Sequence, residues 1–154
     1  MLVKNRVGYD EKGIFYHGPA IHSALFNESA KGVDTLFYLA TLNSTIFWFF
    51  ITQTSTSLRG DTYRLTPEFL NPFPFPKLNL SDSKKNQTYK EVIHLVKEII
   101  SLNRKWIDIQ DKKTDEHDGI KVQIARIDKE IDHRIYSFYG LTEKEIRLIE
   151  SQVS

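Results

Sequence analysis

The chain contains no cysteine, and its 154 residues include only seven glycines and five prolines. Without cysteine there can be no disulfide, no thiolate metal site and no cysteine nucleophile. The glycines are scattered singly, and neither a G-x-G-x-x-G nor a G-x-x-x-x-G-K-S/T motif is present. The sequence therefore lacks the usual dinucleotide-binding and phosphate-binding loops.

An excess of charge of one sign is also missing, because 21 basic residues face 20 acidic ones and the formal net charge is +1. An anionic partner would have to be held by local geometry rather than by the field of the whole chain. The longest apolar run, Ile46–Ile51, is far shorter than the roughly 20 residues that span a bilayer. The first six residues contain neither an apolar h-region nor a small-residue cleavage site, so we expect no secretory signal. With the short apolar run and the lack of cysteine, we also expect no membrane partner and a cytoplasmic location.

The first 33 residues are predicted to be turn-rich and β-like. Asp10-Glu-Lys-Gly13 is a turn signal, and a short strand is expected after it at Ile14–His17. The segment Ala20–Phe26 could form a second strand or an irregular stretch.

The segment from Asp34 to Gln53 predicts one central helix. Asp34 is a suitable N-cap, and apolar residues follow three-and-four spacing but also occupy the other faces, which indicates a helix buried on most sides. A polar loop from Thr54 to Asp61 follows, with Gly60 as its hinge. Residues Thr62–Leu65 are then expected to be extended.

A proline-punctuated exit follows this loop. Thr66 and Pro67 predict one helical turn, because proline suits the first helical position. In Pro72-Phe-Pro-Phe-Pro-Lys77 the alternating prolines exclude a helix and a central strand, so the segment is expected to be extended with its two phenylalanine rings packed on a surface. The polar stretch Asn79–Thr88 is predicted to be a linker.

Two amphipathic helices are predicted beyond the linker, at Thr88–Ile109 and Gly119–Tyr139. A charged turn joins them, which favours an antiparallel helical hairpin. Gly140 stands where a C-cap is expected, and a short helix restarts after it. The predicted fold class is α+β: a small β-containing part packed on a central helix, then the hairpin, with residues 1–79 as a recognition subdomain and 80–154 as a helical one.

Candidate catalytic residues are sparse. No histidine pair has H-E-x-x-H spacing, and His17 and His22 lack a spaced carboxylate, so no metal site is expected. The carboxylates of the predicted hairpin alternate with lysines and arginines, which is typical of a solvated face with i,i+4 ion pairs.

The polar loop concentrates hydrogen-bonding groups within a short stretch. Arginine can bind guanine through O6 and N7, and hydroxyl groups commonly hold phosphates. The alternative is an exposed connection whose arginines pair with Asp61 and Glu68. The candidate DNA-binding residues are Ser55, Thr56, Ser57, Arg59, Thr62, Tyr63 and Arg64.

Short motifs follow one another in a fixed order along the chain. They are Leu39-Ala-Thr-Leu-Asn-Ser44, Phe47-Trp-Phe-Phe50, Gln53-Thr-Ser55, Arg59-Gly60, Tyr63-Arg-Leu65, Pro74-Phe-Pro-Lys77 and, near the end, Tyr139-Gly-Leu-Thr-Glu143. This ordered set resembles the TaqI-like C-terminal specificity domain of type II restriction-modification enzymes. The resemblance covers residues 34–77 and 120–150.

The resemblance implies a target-recognition domain that contacts double-stranded DNA, while a separate N-terminal methyltransferase domain of the parent chain transfers a methyl group from S-adenosylmethionine. The catalytic asparagine-proline-proline motif of that domain is absent from this sequence, since Asn71-Pro-Phe-Pro74 lacks the second adjacent proline. The fragment is therefore expected to be non-catalytic and without a cofactor. S-adenosylmethionine, with Mg²⁺ as a further candidate, would belong to the parent methyltransferase, which could also be an endonuclease.

Two rival interpretations remain open. The first is a protein-interaction module in which the hairpin docks a partner helix, and its sign would be an exposed apolar stripe on that hairpin. The second is a small hydrolase that uses His17 or His22, which would require a pocket that gathers a histidine with a carboxylate.

Overall fold

The computed structural model describes residues 7–14, 23, 28–58, 62–109 and 115–153. A 3-10 turn at Glu28–Ala30 precedes the α-helices. The helices are α1 (Thr35–Asn43), α2 (Thr45–Thr54), α3 (Pro67–Leu70), α4 (Ser83–Ile109), α5 (Asp115–Tyr139) and α6 (Glu143–Val153). The described residues contain no β-sheet, and their one β-type pairing is an isolated antiparallel bridge between Ser57 and Tyr63.

The predicted α+β class is therefore wrong, because the described chain is almost entirely helical. The extended piece Thr62–Leu65 exists but pairs only with the neighbouring arm of its own loop. A single bridged pair of residues is too short to count as two strands, so no sheet results. Asp10 and Gly13 form the predicted turn, with a 3.3 Å backbone hydrogen bond and φ of 61° at Gly13. The strand predicted at Ile14–His17 lies outside the described residues after Ile14, as does Ala20–Phe26 apart from Ser23.

The chain divides into two compact units. The first comprises Met1–Phe75 with Glu143–Ser154, and the second comprises Pro76–Thr142. In the first unit α2 packs against α1, α3 and α6. In the second, α4 packs against α5. The division into functional subdomains at residue 79 stays a prediction.

The predicted central helix is broken into α1 and α2, which meet at a bend of 57°. Ser44 causes the break: its backbone is extended (ψ 157°), and it is at once the C-cap of α1 and the N-cap of α2. Its hydroxyl donates to the Thr41 carbonyl at 2.6 Å and accepts from the Phe47 N–H at 3.4 Å. Serine competes with helical hydrogen bonds in this way, which is why it favours caps over helix interiors.

The core of the first unit is aromatic. Phe37, Phe47 and Ile51 are almost fully buried. The ring of Phe73 packs edge-on against Phe47, at 4.9 Å between centroids, and lies 5.1 Å from the ring of Phe75. The predicted packing of the proline-rich exit is confirmed most clearly at Phe73, because Phe75 stays 41% exposed. The predicted helical turn is confirmed as α3, with Pro67 at its start.

The second unit is a pair of long antiparallel helices. Glu91 of α4 faces Arg134 of α5, with 3.1 Å between the carboxylate and Nε. The ring of Trp106, near the end of α4, packs at a tilt against the ring of His117, near the start of α5, with 5.4 Å between centroids. Helix α4 begins at Ser83, so the second half of the predicted linker is helical. In the sequence, the start of α4 is marked by Asp82, whose carboxylate accepts the Lys85 N–H at 3.0 Å and so caps the helix.

The end of the second unit follows the sequence prediction. Gly140 has φ of 67°, a left-handed conformation that favours glycine, and the Leu141 N–H donates back to the Tyr136 carbonyl at 3.4 Å. Helix α6 then begins at Glu143.

No single helix of the described chain has the length and hydropathy to cross a membrane, and α1 with α2 meets those criteria only when the bent pair is counted together.

Candidate nucleic-acid interface

The polar loop folds back on itself as two paired arms, residues 55–58 and 62–64, which we call the arch. The Leu58 N–H donates to the Thr62 carbonyl at 2.9 Å, and the Arg64 N–H donates to the Thr56 carbonyl at 3.1 Å. Ser57 and Tyr63 form the bridge between these two bonds. The loop therefore has a defined backbone on both sides of residues 59–61.

The arch is fixed to the end of α2. The ring of Tyr63 meets the largely buried ring of Trp48 edge-on, with 5.3 Å between centroids. The Ser55 N–H donates to the Ile51 carbonyl at 2.9 Å, and the Ser55 hydroxyl donates to the carbonyl of Arg64. Edge-to-face aromatic pairs are favourable beyond the area they bury. Both arms are thus held against a helix that is itself packed in the aromatic core.

Arg64 lies on the outside of the arch. Its side chain is exposed, and none of the ion pairs among the described residues includes Arg64 or Glu68. The alternative in which Arg64 is neutralised by Glu68 is therefore not seen. Arg59 and Asp61 lie outside the described residues, so the partner arginine and its alternative pairing stay predictions.

The seven candidate residues occupy different positions in the arch. Thr56 and Ser57 are exposed beside Arg64, whereas Thr62 and Tyr63 are half-buried. The Ser55 hydroxyl donates to the Arg64 carbonyl, and the ring of Tyr63 packs edge-on against the ring of Trp48. These contacts give Ser55 and Tyr63 a positioning role. The exposed groups suited to touch a ligand are those of Thr56, Ser57 and Arg64.

Two features of this region were not anticipated from the sequence. Leu58 is 43% exposed within the polar arch. Asn43 clasps the backbone of Val7: its Oδ1 accepts the Val7 N–H at 3.1 Å, and its Nδ2 donates to the Val7 carbonyl at 2.9 Å. In the sequence, the only local sign of these two hydrogen bonds is that Asn43 directly precedes the capping residue Ser44. Asn43 and Ser44, which end the motif Leu39-Ala-Thr-Leu-Asn-Ser44, thus both have structural roles.

The hydrolase interpretation stays a prediction, because His17 and His22 lie outside the described residues. His117 is buried against Trp106, and its Nδ1 lies 3.2 Å from the carboxylate of Asp118, the next residue on the same helix. Within the described ranges, no group of three histidine, aspartate or glutamate side chains could hold a metal ion.

Comparison of the chain with protein families, curated proteins and solved structures finds no match. The likeness to restriction-modification specificity domains therefore rests on the ordered motifs of the sequence alone.

Proposed function

We propose that the chain is a non-catalytic target-recognition domain that binds duplex DNA sequence-specifically for a type II restriction enzyme or DNA methyltransferase. The observation that carries the proposal is the arch: an exposed arginine and two exposed hydroxyls on a backbone that is hydrogen-bonded across both arms and fixed to α2. The ordered motifs that surround the arch support the same class of protein.

The chemistry of the arch suits a base edge or a phosphate. A guanidinium can donate two parallel hydrogen bonds to guanine or to phosphate oxygens, and hydroxyls can hold neighbouring phosphates. Because the arms are already ordered, little conformational entropy would be lost when the arch binds. Ser55 and Tyr63 would hold the arch, while Arg64, Thr56 and Ser57 would make the contacts, with Arg59 as a further donor.

The chain would act as part of a larger enzyme in the cytoplasm. Its parent would supply the methyltransferase domain and S-adenosylmethionine, with Mg²⁺ as a further candidate. The near-neutral charge of the chain limits the number of phosphates that it can neutralise, so binding by the isolated domain should be weak and should fall steeply with salt.

Selection from a library of random duplexes at low salt tests the proposal without knowledge of the site. The wild-type chain should enrich a short motif, and the Arg59→Ala/Arg64→Ala variant should enrich none. Arg147→Ala, which removes an exposed arginine of α6, is the control and should enrich the same motif as wild type. Equal enrichment by the wild type and the double variant would remove the arch from the mechanism.

The protein-interaction alternative depends on an exposed apolar stripe. On the described helices of the second unit, the large exposed apolar residues are Ile107 and Val122, at 55% and 69% exposure. Scattered exposed apolar residues are normal on a folded surface. The centres of the apolar stripes of α4 and α5 are instead buried where the two helices pack, and Ile93 and Ile100 at the edge of the α4 stripe are half-buried.

A further inference from the structure

The solvent face of α4 carries basic residues at a constant interval. Lys90, Lys97 and Arg104 follow one another every seven residues, and all are exposed. Seven residues are nearly two helical turns, so the side chains lie along one side of the helix with a drift of only about 20° per step. We call these residues the α4 cationic row. Exposed His94 and Ser101 lie between them on the same side.

Among the residues that the structure describes, no close acidic partner neutralises the charges of this row. None of the ion pairs in the described part of the chain includes Lys90, Lys97 or Arg104. Glu91 is committed elsewhere: its carboxylate accepts from Gln87 at 2.9 Å and from Arg134 at 3.1 Å.

Two further acids lie close to the row in sequence. Glu98 follows Lys97 directly and so points about 100° away from it around the helix. Asp108 lies one turn beyond Arg104, at the end of the row. The middle of the row therefore presents positive charge.

The surroundings of the row favour a polyanion over a lipid surface. A helix that lies on a membrane needs an apolar face to insert beside its basic one. The apolar face of α4, with Tyr89, Val92 and Val96, is buried where α4 packs on α5. One flank of the row carries exposed Glu98 and Lys105, whereas the other carries half-buried Ile93 and Ile100, which leaves Ile107 as the exposed apolar side chain beside the row.

The length of the row matches a duplex backbone. At 1.5 Å per residue, Lys90 and Arg104 lie roughly 21 Å apart along α4. Over that length a DNA duplex presents about one phosphate charge per 1.7 Å of axis, so each of the three long side chains would have a phosphate within reach. We propose that the α4 cationic row binds the phosphate backbone of duplex DNA and adds sequence-independent affinity. This role rests on the function proposed for the arch.

A salt titration with charge-matched variants of the full chain tests this. The row variant is Lys90→Gln/Lys97→Gln/Arg104→Gln. The control is Arg126→Gln/Lys129→Gln/Lys144→Gln, which removes the same charge from exposed positions on α5 and α6. Binding to a fluorescent duplex is followed by anisotropy from about 50 to 200 mM salt, a range in which phosphate contacts weaken strongly.

The row variant should lower the slope of log affinity against log salt by about 2 to 3, because each phosphate contact contributes about 0.9. The control should leave the slope close to that of wild type, and both variants should still enrich the motif of the wild type. Helical circular dichroism identical to wild type shows that each variant is folded.

Four results would overturn the inference. Equal losses in the row variant and the control would show that only net charge matters. An unchanged slope in the row variant, with wild-type binding intact, would exclude the row and leave the arch standing. In a parallel assay with phosphatidylserine vesicles, the row variant could lose binding that the wild type shows while its duplex binding is unchanged. That result would assign the row to a lipid surface. If the wild type binds no duplex even at the lowest salt, the function proposed for the arch fails as well.

Discussion

The two units of this molecule are stabilised in different ways. The first buries aromatic rings on short helices, with the ring of Phe73 within 5.3 Å of the rings of both Phe47 and Phe50. The second buries aliphatic stripes along two helices of 27 and 25 residues. Large rings with fixed contacts hold one local geometry, whereas a long stripe spreads its packing over many turns. The arch belongs to the first unit, where the ring of Tyr63 meets the ring of Trp48.

The largest effect is expected from Phe47→Ala. Phe47 is 2% exposed, and removing a buried phenylalanine costs about 3–5 kcal/mol, since the lost transfer free energy is joined by a cavity. Urea unfolding monitored by tryptophan fluorescence should show the loss when both proteins carry Trp106→Phe, because Trp48 of the first unit is then the reporting tryptophan. Phe75→Ala removes a ring that is 41% exposed and is the matched control, with a clearly smaller loss expected. Equal losses would show that the aromatic cluster is not the core of this unit.

A smaller and more local effect is expected from Tyr63→Ala. The half-buried ring should contribute about 0.5–1.5 kcal/mol through its edge contact with Trp48, and its loss should weaken duplex binding by loosening the arch. Tyr63→Phe keeps the ring and removes the hydroxyl, so it should retain both stability and binding. Unfolding midpoints and duplex anisotropy measured on the same samples check this. If Tyr63→Phe binds as poorly as Tyr63→Ala, the hydroxyl contacts DNA and the ring is not the main contributor.

The sequence predicted the second unit better than the first. Apolar residues at three-and-four spacing placed α4 and α5 correctly at their C-terminal ends, and Gly140 marked the end of α5. The start of α4 was placed too late because its first turns are polar and carry no periodic signal. The start of α4 is marked in the sequence only by Asp82, which caps the helix.

In the first unit the apolar run concealed a boundary. Hydrophobicity on every face indicates burial but does not locate a break, and Ser44 breaks the run by bonding to the Thr41 carbonyl. Within the site, the extended backbone at Thr62–Leu65 was predicted and Ser57 was found to pair with Tyr63. The contact of Tyr63 with Trp48 was not predicted, because it depends on the tertiary path of the loop rather than on any local pattern.

The smallest effect concerns acid stability of the second unit. The backbone N–H of Lys85 donates to the carboxylate of Asp82 and lowers its pKa below the ordinary value of 3.8. A pKa that is lower in the folded than in the unfolded chain stabilises the fold above the unfolded pKa, and this contribution is lost as pH falls through the folded pKa. Stability should therefore decline below about pH 4.

Asp82→Asn isolates the charge, because asparagine caps helices about as well as aspartate. The variant should be slightly less stable than wild type near neutral pH, and the two should converge in acid as the wild-type carboxylate is protonated. Urea midpoints measured across this pH range by helical circular dichroism test the expectation. Glu91, whose pKa is lowered by the Gln87 hydrogen bond and by Arg134, titrates in both proteins and so cancels from the difference. A constant gap between the two profiles would mean that the carboxylate acts on α4 as a neutral cap.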